Sequence, residues 1–282
     1  MVVSVVGLGL IGGSVALDLK ARGFTRKIIG MELNPQHAGL ALKRGIADEI
    51  APTLPDAVAA ANLVILAVPV NQIIALLPQV LKLAGKNTVV TDMGSTKLGI
   101  VQSVADHPNR QAYVAAHPMA GTEFSGPTAA LYNLFDRKVA IICNKESSHS
   151  DALTIVESMF RTLNMPLLYM DAAEHDMHTA YVSHISHITS FVLANTVLQK
   201  EKSVSTIFNL ASGGFASTVR LAKSSPATWS QIFEQNTNNV LEVLDTYIEN
   251  LTQWRNHLKN GNYNQLALLM KEANAINKIL DK

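Results

Sequence analysis

A short β-branched run ends at Val6, and the chain then reads GLGLIG over 7–12. Gly7, Gly9 and Gly12 match the spacing G-x-G-x-x-G. The spacing alone is weak, because glycine-rich turns without a ligand share it. Its context adds the rest: an apolar strand precedes it, and a segment of helical period follows from Ile11. Each glycine then has a physical task. Gly7 permits the tight turn, Gly9 lets backbone approach a pyrophosphate, and Gly12 lets helix and strand pack closely. Leu10 and Ile11 open the helix, where free N–H groups and the helix dipole favour negative charge. The next strand ends at Glu32, 32 − 12 = 20 residues past the third glycine. A carboxylate there accepts bonds from ribose hydroxyls and repels a 2′-phosphate, and no arginine follows directly. The expected cofactor is therefore NAD rather than NADP. Val68, at the end of another strand, is also placed in the cofactor site.

The pattern continues beyond the motif. Near-continuous apolar runs at 2–6, 27–31, 63–68, 88–91, 113–116, 139–143 and 167–170 read as strands covered on both faces. Helical spacing fills 11–22, 36–43, 71–83 and 151–163. Alternation of this kind predicts a parallel, doubly wound α/β sheet of the Rossmann type. After Met170 the strand signal stops. Asp171 and Glu174 have capping-box spacing, so a helix is expected there, running to about Leu198. Further helices are expected over 203–211, 228–252 (with a possible break) and 263–280. The expected domains are 1–169, dinucleotide-binding, and 170–282, all-helical and dimer-forming.

Composition narrows the function classes. The formal net charge is +1 and no basic block stands out, which argues against nucleic acid and anionic membrane as partners. The one cysteine, Cys143, cannot form an internal disulfide and suits a reducing compartment. No apolar run is long enough to span a bilayer, and a strand candidate stands where a signal peptide would begin. The expectation is a cytoplasmic protein.

Three further segments hold polar residues at places where chemistry happens in open α/β sheets. DMGSTK at 92–97 follows a strand and holds Ser95. HPMAGTE at 117–123 follows the next strand and holds His117 and Glu123. SHISH at 183–187 lies on the first helix of the second half and holds His184 and His187. Histidine is the side chain most easily tuned to take a proton near neutral pH.

Taken together, GLGLIG, DMGSTK, HPMAGTE and SHISH resemble the prephenate/arogenate dehydrogenase family in order and spacing. GGF at 213–215, Arg220, Pro226 and Trp229 resemble its later motif, so the likeness covers nearly the whole chain. The resemblance implies an NAD-dependent oxidative decarboxylation in tyrosine biosynthesis, on prephenate or, alternatively, arogenate. It implies that His117 takes the proton of the substrate's ring hydroxyl and that Ser95 orients His117 and touches the hydroxyl or the nicotinamide. By the same likeness Arg220 anchors a substrate carboxylate, His187 and His184 stand on the substrate side, and Glu123 stands at the mouth of the site. The family often has Arg-Asp after Gly-Phe, where this chain has Ala216 and Ser217, so substrate preference transfers less safely than reaction type.

His175, His178, His184 and His187 invite a metal, but no cysteine pair or HExxH accompanies them, and no metal is expected. His175 and His178 are expected on a helix surface or at the domain interface. Trp229 is expected in core or dimer packing, and Cys143 in a buried strand without chemistry. The rival functions are a 3-hydroxyacid dehydrogenase, a pyrroline-5-carboxylate reductase and a nucleotide sensor.

Overall fold

In the computed structural model, residues 1–204 and 206–280 are described. The chain falls into two compact units, 1–237 and 238–282. The first contains strands β1 (Val2–Val6), β2 (Lys27–Met31), β3 (Glu49–Ile50), β4 (Leu63–Leu66), β5 (Val89–Asp92), β6 (Tyr113–Pro118), β7 (Ala140–Cys143) and β8 (Leu167–Met170). Its helices are α1 (Leu10–Ala21), α2 (Pro35–Lys43), α3 (Leu54–Ala59), α4 (Val70–Leu83), α5 (Leu98–Gln102), α6 (Ser150–Thr162), α7 (Ala172–Thr179), α8 (Ile185–Glu201), α9 (Gly213–Thr218) and α10 (Pro226–Gln235). The second unit carries α11 (Thr237–Lys259, from its second residue on), α12 (Tyr263–Ala273) and α13 (Asn277–Leu280).

Among the described residues the strands form one sheet in the order β3-β2-β1-β4-β5-β6-β7-β8. Two apolar layers cover it, and this explains why its strands are apolar throughout. Val3, Val5, Leu63, Ile65, Val114 and Ala116 join one core with Val15, Ala16 and Leu19 of α1 and Val156, Met159 and Phe160 of α6. Val6, Val64, Leu66, Val90, Tyr113 and Ala115 join the other with Ile73, Leu77 and Val80 of α4 and Ile100 of α5. Neighbouring residues along a strand thus serve opposite faces, as a pleat of period two requires.

One part of the expected topology needs correction. β1 to β6 run parallel, but β7 runs antiparallel to β6, and β8 is then parallel to β7. A parallel return needs a crossover, usually a helix. The segment between β6 and β7 has only a short 3-10 turn, Pro127–Ala129, and lies along α1 and α2. Ser14 Oγ accepts from Leu131 N at 2.9 Å, the Asp18 carboxylate accepts from Asn133 N at 3.0 Å, and Arg44 donates to the carbonyls of Pro127 and Ala130.

The first helix after β8 begins where expected, but not by the expected cap. Asp171 makes no side-chain cap bond, and Ala172 N donates instead to Asn144 Oδ1 at 2.8 Å. The helix is interrupted by a π turn, Ala180–His184, before continuing as α8. The expected helix over 228–252 breaks at Asn236. The helix expected over 203–211 includes Ser205, which lies outside the described residues, and beyond it stands a 3-10 turn, Ile207–Leu210. Cys143 is buried in β7, and burial pushes its thiol up to about 12. No helix among the described residues is long and apolar enough to cross a membrane.

Candidate active site

The glycine turn is shaped as its sequence requires. Gly7 has φ +92°, and a Cβ there would stand 2.6 Å from Ala67 O. A Cβ on Gly12 would stand 2.0 Å from Gly7 O, so any side chain would force helix and strand apart. Gly9 has nothing within 4 Å of a built Cβ, which leaves room beside the backbone. Gly9 also caps α1, whose first turn has neither a side-chain cap nor an acidic residue. That helix end suits a pyrophosphate. Glu32 follows β2, and its carboxylate accepts from Leu8 N at 3.3 Å and Asn34 N at 3.0 Å. Each oxygen retains acceptor capacity for a ribose hydroxyl.

A cleft opens beside this turn. Gly9, Leu10, Ile11 and Val68 line one side, and Met93, Gly94 and Ser95 the floor. Residues 120–126, including Glu123, form the rim, and Thr228, Trp229 and Ile232 of α10 face them. The expected cofactor residues except Gly7, Gly12 and Glu32 thus border one cavity; those three shape its turn and flank.

Two buried side chains hold the floor. Asp92 ends β5, and its Oδ1 accepts from Tyr113 OH at 2.6 Å and Ala116 N at 3.3 Å. Its Oδ2 accepts from Gly94 N at 2.8 Å and pairs with Lys97 Nζ, both side chains being wholly buried. Lys97 Nζ also donates to Ala116 O at 2.7 Å. The pair therefore ties the end of β5 to the residue just before His117. DMGSTK was legible as a strand-end turn, but its aspartate and lysine were not singled out. The available signal was a lysine placed five residues after a strand-end carboxylate in apolar surroundings.

His117 lies near the end of β6, half-buried, opposite Ile141. Its Nδ1 meets His175 Nε2 at 2.8 Å, and His175 Nδ1 meets Asp176 Oδ1 at 2.7 Å. Ser95 lines the cleft but makes no hydrogen bond to His117 among the described residues; His175 holds that ring instead. Of the two histidines expected on a helix surface or at the domain interface, His175 is wholly buried where α7 meets His117 of β6, and His178 is exposed. Burial, then the neighbouring His175, Lys97 and His184, hold the His117 imidazole well below its ordinary range.

The other expected substrate-side residues divide. His187 is partly buried and stacks on Trp229, with ring centroids 3.4 Å apart and planes 24° apart. Its Nδ1 lies 3.1 Å from Ser183 O. Trp229 is therefore a cleft wall rather than packing alone. His184 is buried beneath it, edge-on to Trp229, with Nδ1 3.1 Å from Asn236 Nδ2. Burial lowers its pKa to about 4, so it is neutral near pH 7. Arg220 is half-exposed and lies 3.4 Å from Glu123 across the rim. Among the described residues no group of three or more His, Cys, Asp or Glu is gathered as a metal site.

Comparison with known proteins agrees with this geometry. Residues 15–168 match the family described as prephenate dehydrogenase, nucleotide-binding domain, and residues 171–272 match prephenate dehydrogenase, dimerization domain. A prephenate dehydrogenase of Bacillus subtilis (strain 168) is 32% identical over 270 residues, covering 95% of this chain and 72% of that protein. The prephenate dehydrogenase of Aquifex aeolicus, solved in complex with hydroxyphenyl propionate and NAD+, superposes with a TM-score of 0.86 at 28% identity, covering 99% of this chain and 98% of that one. The arogenate dehydrogenase of Synechocystis superposes with a TM-score of 0.76 at 27% identity, covering 99% of each chain. With both halves of the chain matched, this protein belongs to the prephenate dehydrogenase family.

Proposed function

We propose that this chain uses NAD to oxidise and decarboxylate prephenate, giving 4-hydroxyphenylpyruvate and carbon dioxide in tyrosine biosynthesis. The observation that carries the reading is His117. It is an imidazole near the end of β6, three residues before Ala120 at the rim of the cleft, with its pKa held down by burial and one ring nitrogen engaged by His175. Such a group is a proton acceptor whose free nitrogen, Nε2, is left for substrate.

NAD, when bound, supplies the hydride acceptor. His117 takes the proton of the ring hydroxyl as the carbonyl forms. Loss of carbon dioxide then makes the ring aromatic, which drives the step, and His117 returns the proton to the phenolate oxygen. Arg220 pairs with a substrate carboxylate in the geometry a guanidinium favours. Glu123 stands at the mouth, His187 and Trp229 form a wall, and His184 supports them from below. Ser95 lies on the floor within reach of the nicotinamide end. Gly7, Gly9, Leu10, Ile11, Gly12, Glu32 and Val68 hold the dinucleotide. The division of labour follows 1–169 for cofactor and 170–282 for substrate and dimerisation.

The test is NADH formation by the purified chain, with prephenate and arogenate each offered with NAD and NADP. The expected result is turnover of prephenate with NAD, and a lower kcat/KM with NADP because Glu32 repels the 2′-phosphate. Turnover of arogenate alone would replace the substrate, and inertness toward both would remove the function.

The protein is further proposed to be a cytoplasmic homodimer. Val192, Leu193 and Leu198 of α8 are exposed apolar residues, as are Leu241, Ile248 and Leu251 of α11. Light scattering on protein from the soluble cell fraction should give twice the 30.5 kDa chain mass. A monomer at micromolar concentration would contradict this.

A further inference from the structure

The histidine that holds His117 is itself held by a carboxylate, and the donors around that carboxylate leave little freedom. Asp176 Oδ1 accepts from Lys97 N at 2.7 Å and Oδ2 from Leu98 N at 2.9 Å. Backbone N–H groups can only donate, so both oxygens are acceptors. His175 Nδ1, 2.7 Å from Oδ1, must then be the donor. A neutral imidazole has one N–H and one lone pair, so His175 Nε2 accepts. Its partner 2.8 Å away, His117 Nδ1, must donate, and His117 Nε2 is left bare.

Three features keep this chain in place. Asn236 Nδ2 donates to Asp176 O at 2.7 Å and lies 3.1 Å from His184 Nδ1, tying α7 to the end of α10. The Lys97–Asp92 pair fixes the backbone beside both His117 and Asp176. The π turn sets the facing of the histidines. His175 and His184 are nine residues apart, which at about 100° per residue would put them on opposite helix faces. A wider turn winds through less angle per residue, and both rings are buried.

We infer that His175 and Asp176 are positioning residues that lock His117 in the Nδ1–H tautomer, so that its Nε2 can receive the substrate's hydroxyl proton. The inference rests on the reading of His117 as the base. With hydrogen on Nε2, His117 would offer the hydroxyl a donor and could take nothing from it. The relay works again in the step itself. The substrate O–H bond breaks and Nε2–H forms. The O–H electron pair becomes the carbonyl bond as hydride leaves the same carbon for the nicotinamide. The positive charge gained by His117 is then stabilised through the His175 hydrogen bond by the Asp176 carboxylate, as a buried carboxylate stabilises the base of a serine-protease triad without taking its proton. The charged and titratable groups around the two rings are Lys97, Asp92, Asp176 and His184.

The first test is nitrogen-15 spectroscopy of the full-length, histidine-labelled protein with NAD bound, the His117 signal being identified by its loss in His117→Asn. Protonated Nδ1 and bare Nε2 on both His117 and His175 near neutral pH support the relay. Hydrogen on His117 Nε2 overturns it. The spectrum needs no turnover, so it judges the relay even if prephenate proves not to be the substrate. The second test is kinetic. His175→Phe should lower kcat roughly 10²-fold, with both KM values within about threefold of the parent. The acid limb of kcat should move to lower pH, because the His117 imidazolium loses its acceptor. His175→Gln, which keeps an acceptor for His117 and a donor for Asp176, should recover much of the loss. Equal losses in both variants with an unmoved acid limb would make His175 a packing residue and overturn the inference.

Discussion

Replacing His117 with Asn is expected to lower kcat for prephenate by about 10²- to 10⁴-fold, the range for losing a general base. NAD affinity should hardly change, because the hydrogen bond and ring contact of His117 go to His175 rather than to the glycine turn or Glu32. The parent's pH profile should carry the same signature. The His117 pKa is depressed, so its neutral, proton-accepting form persists into mild acid. The kcat/KM value should therefore stay flat as pH falls through the ordinary histidine range and drop only below it. In the variant that acid limb should disappear. Stopped-flow NADH absorbance and a fluorescence titration of NAD measure the two halves. Parental turnover in the Asn variant would remove His117 from the chemistry.

The second large effect concerns stability. Lys97→Met leaves Asp92 wholly buried with its cation removed, and breaking a buried pair from one side costs about 3–5 kcal/mol. Tyr113 OH and two backbone N–H groups remain on the carboxylate, which is why the fold should survive at reduced Tm. Lys97→Met combined with Asp92→Asn should be milder than Lys97→Met alone, because the uncompensated charge goes with the carboxylate. Denaturant titrations of the three proteins decide the matter. A single-variant loss of less than about 1 kcal/mol would mean that water or rearrangement reaches the site.

Local constraints were the ones legible in the sequence. The glycine turn could be read because steric demands at Gly7 and Gly12 involve neighbours a few residues away or on the adjoining strand. Glu32, Ser95 and His117 could be placed because residues that end parallel strands share one edge of the sheet. The reversal of β7 could not be read, since its apolar run looks the same in either direction. The bond of His175 to His117 was not legible for a different reason. The helix that carries His175 is interrupted by a π turn, and nothing in AYVSH at 180–184 announces that change in the hydrogen-bond ladder. Of the partners of His175, His117 lies 58 residues before it and Asp176 is the next residue, spacings that no periodic pattern links. Trp229 was assigned to packing because a tryptophan's pattern does not say which of its neighbours is solvent.

The antiparallel course of β7 separates two problems that a wholly parallel sheet would join. A helical crossover after His117 would have tied the length of that connection to the sheet's covering layer. Here the span leaving the histidine first borders the cavity at 120–126 and only later fastens to Arg44 at the end of α2 through Pro127 and Ala130, and to α1 through Leu131 and Asn133. Lengthening its early part adds little chain-closure entropy, about 0.6 kcal/mol per doubling. Selectivity for differently sized rings can thus be remodelled at the rim without disturbing the scaffold that aims the imidazole.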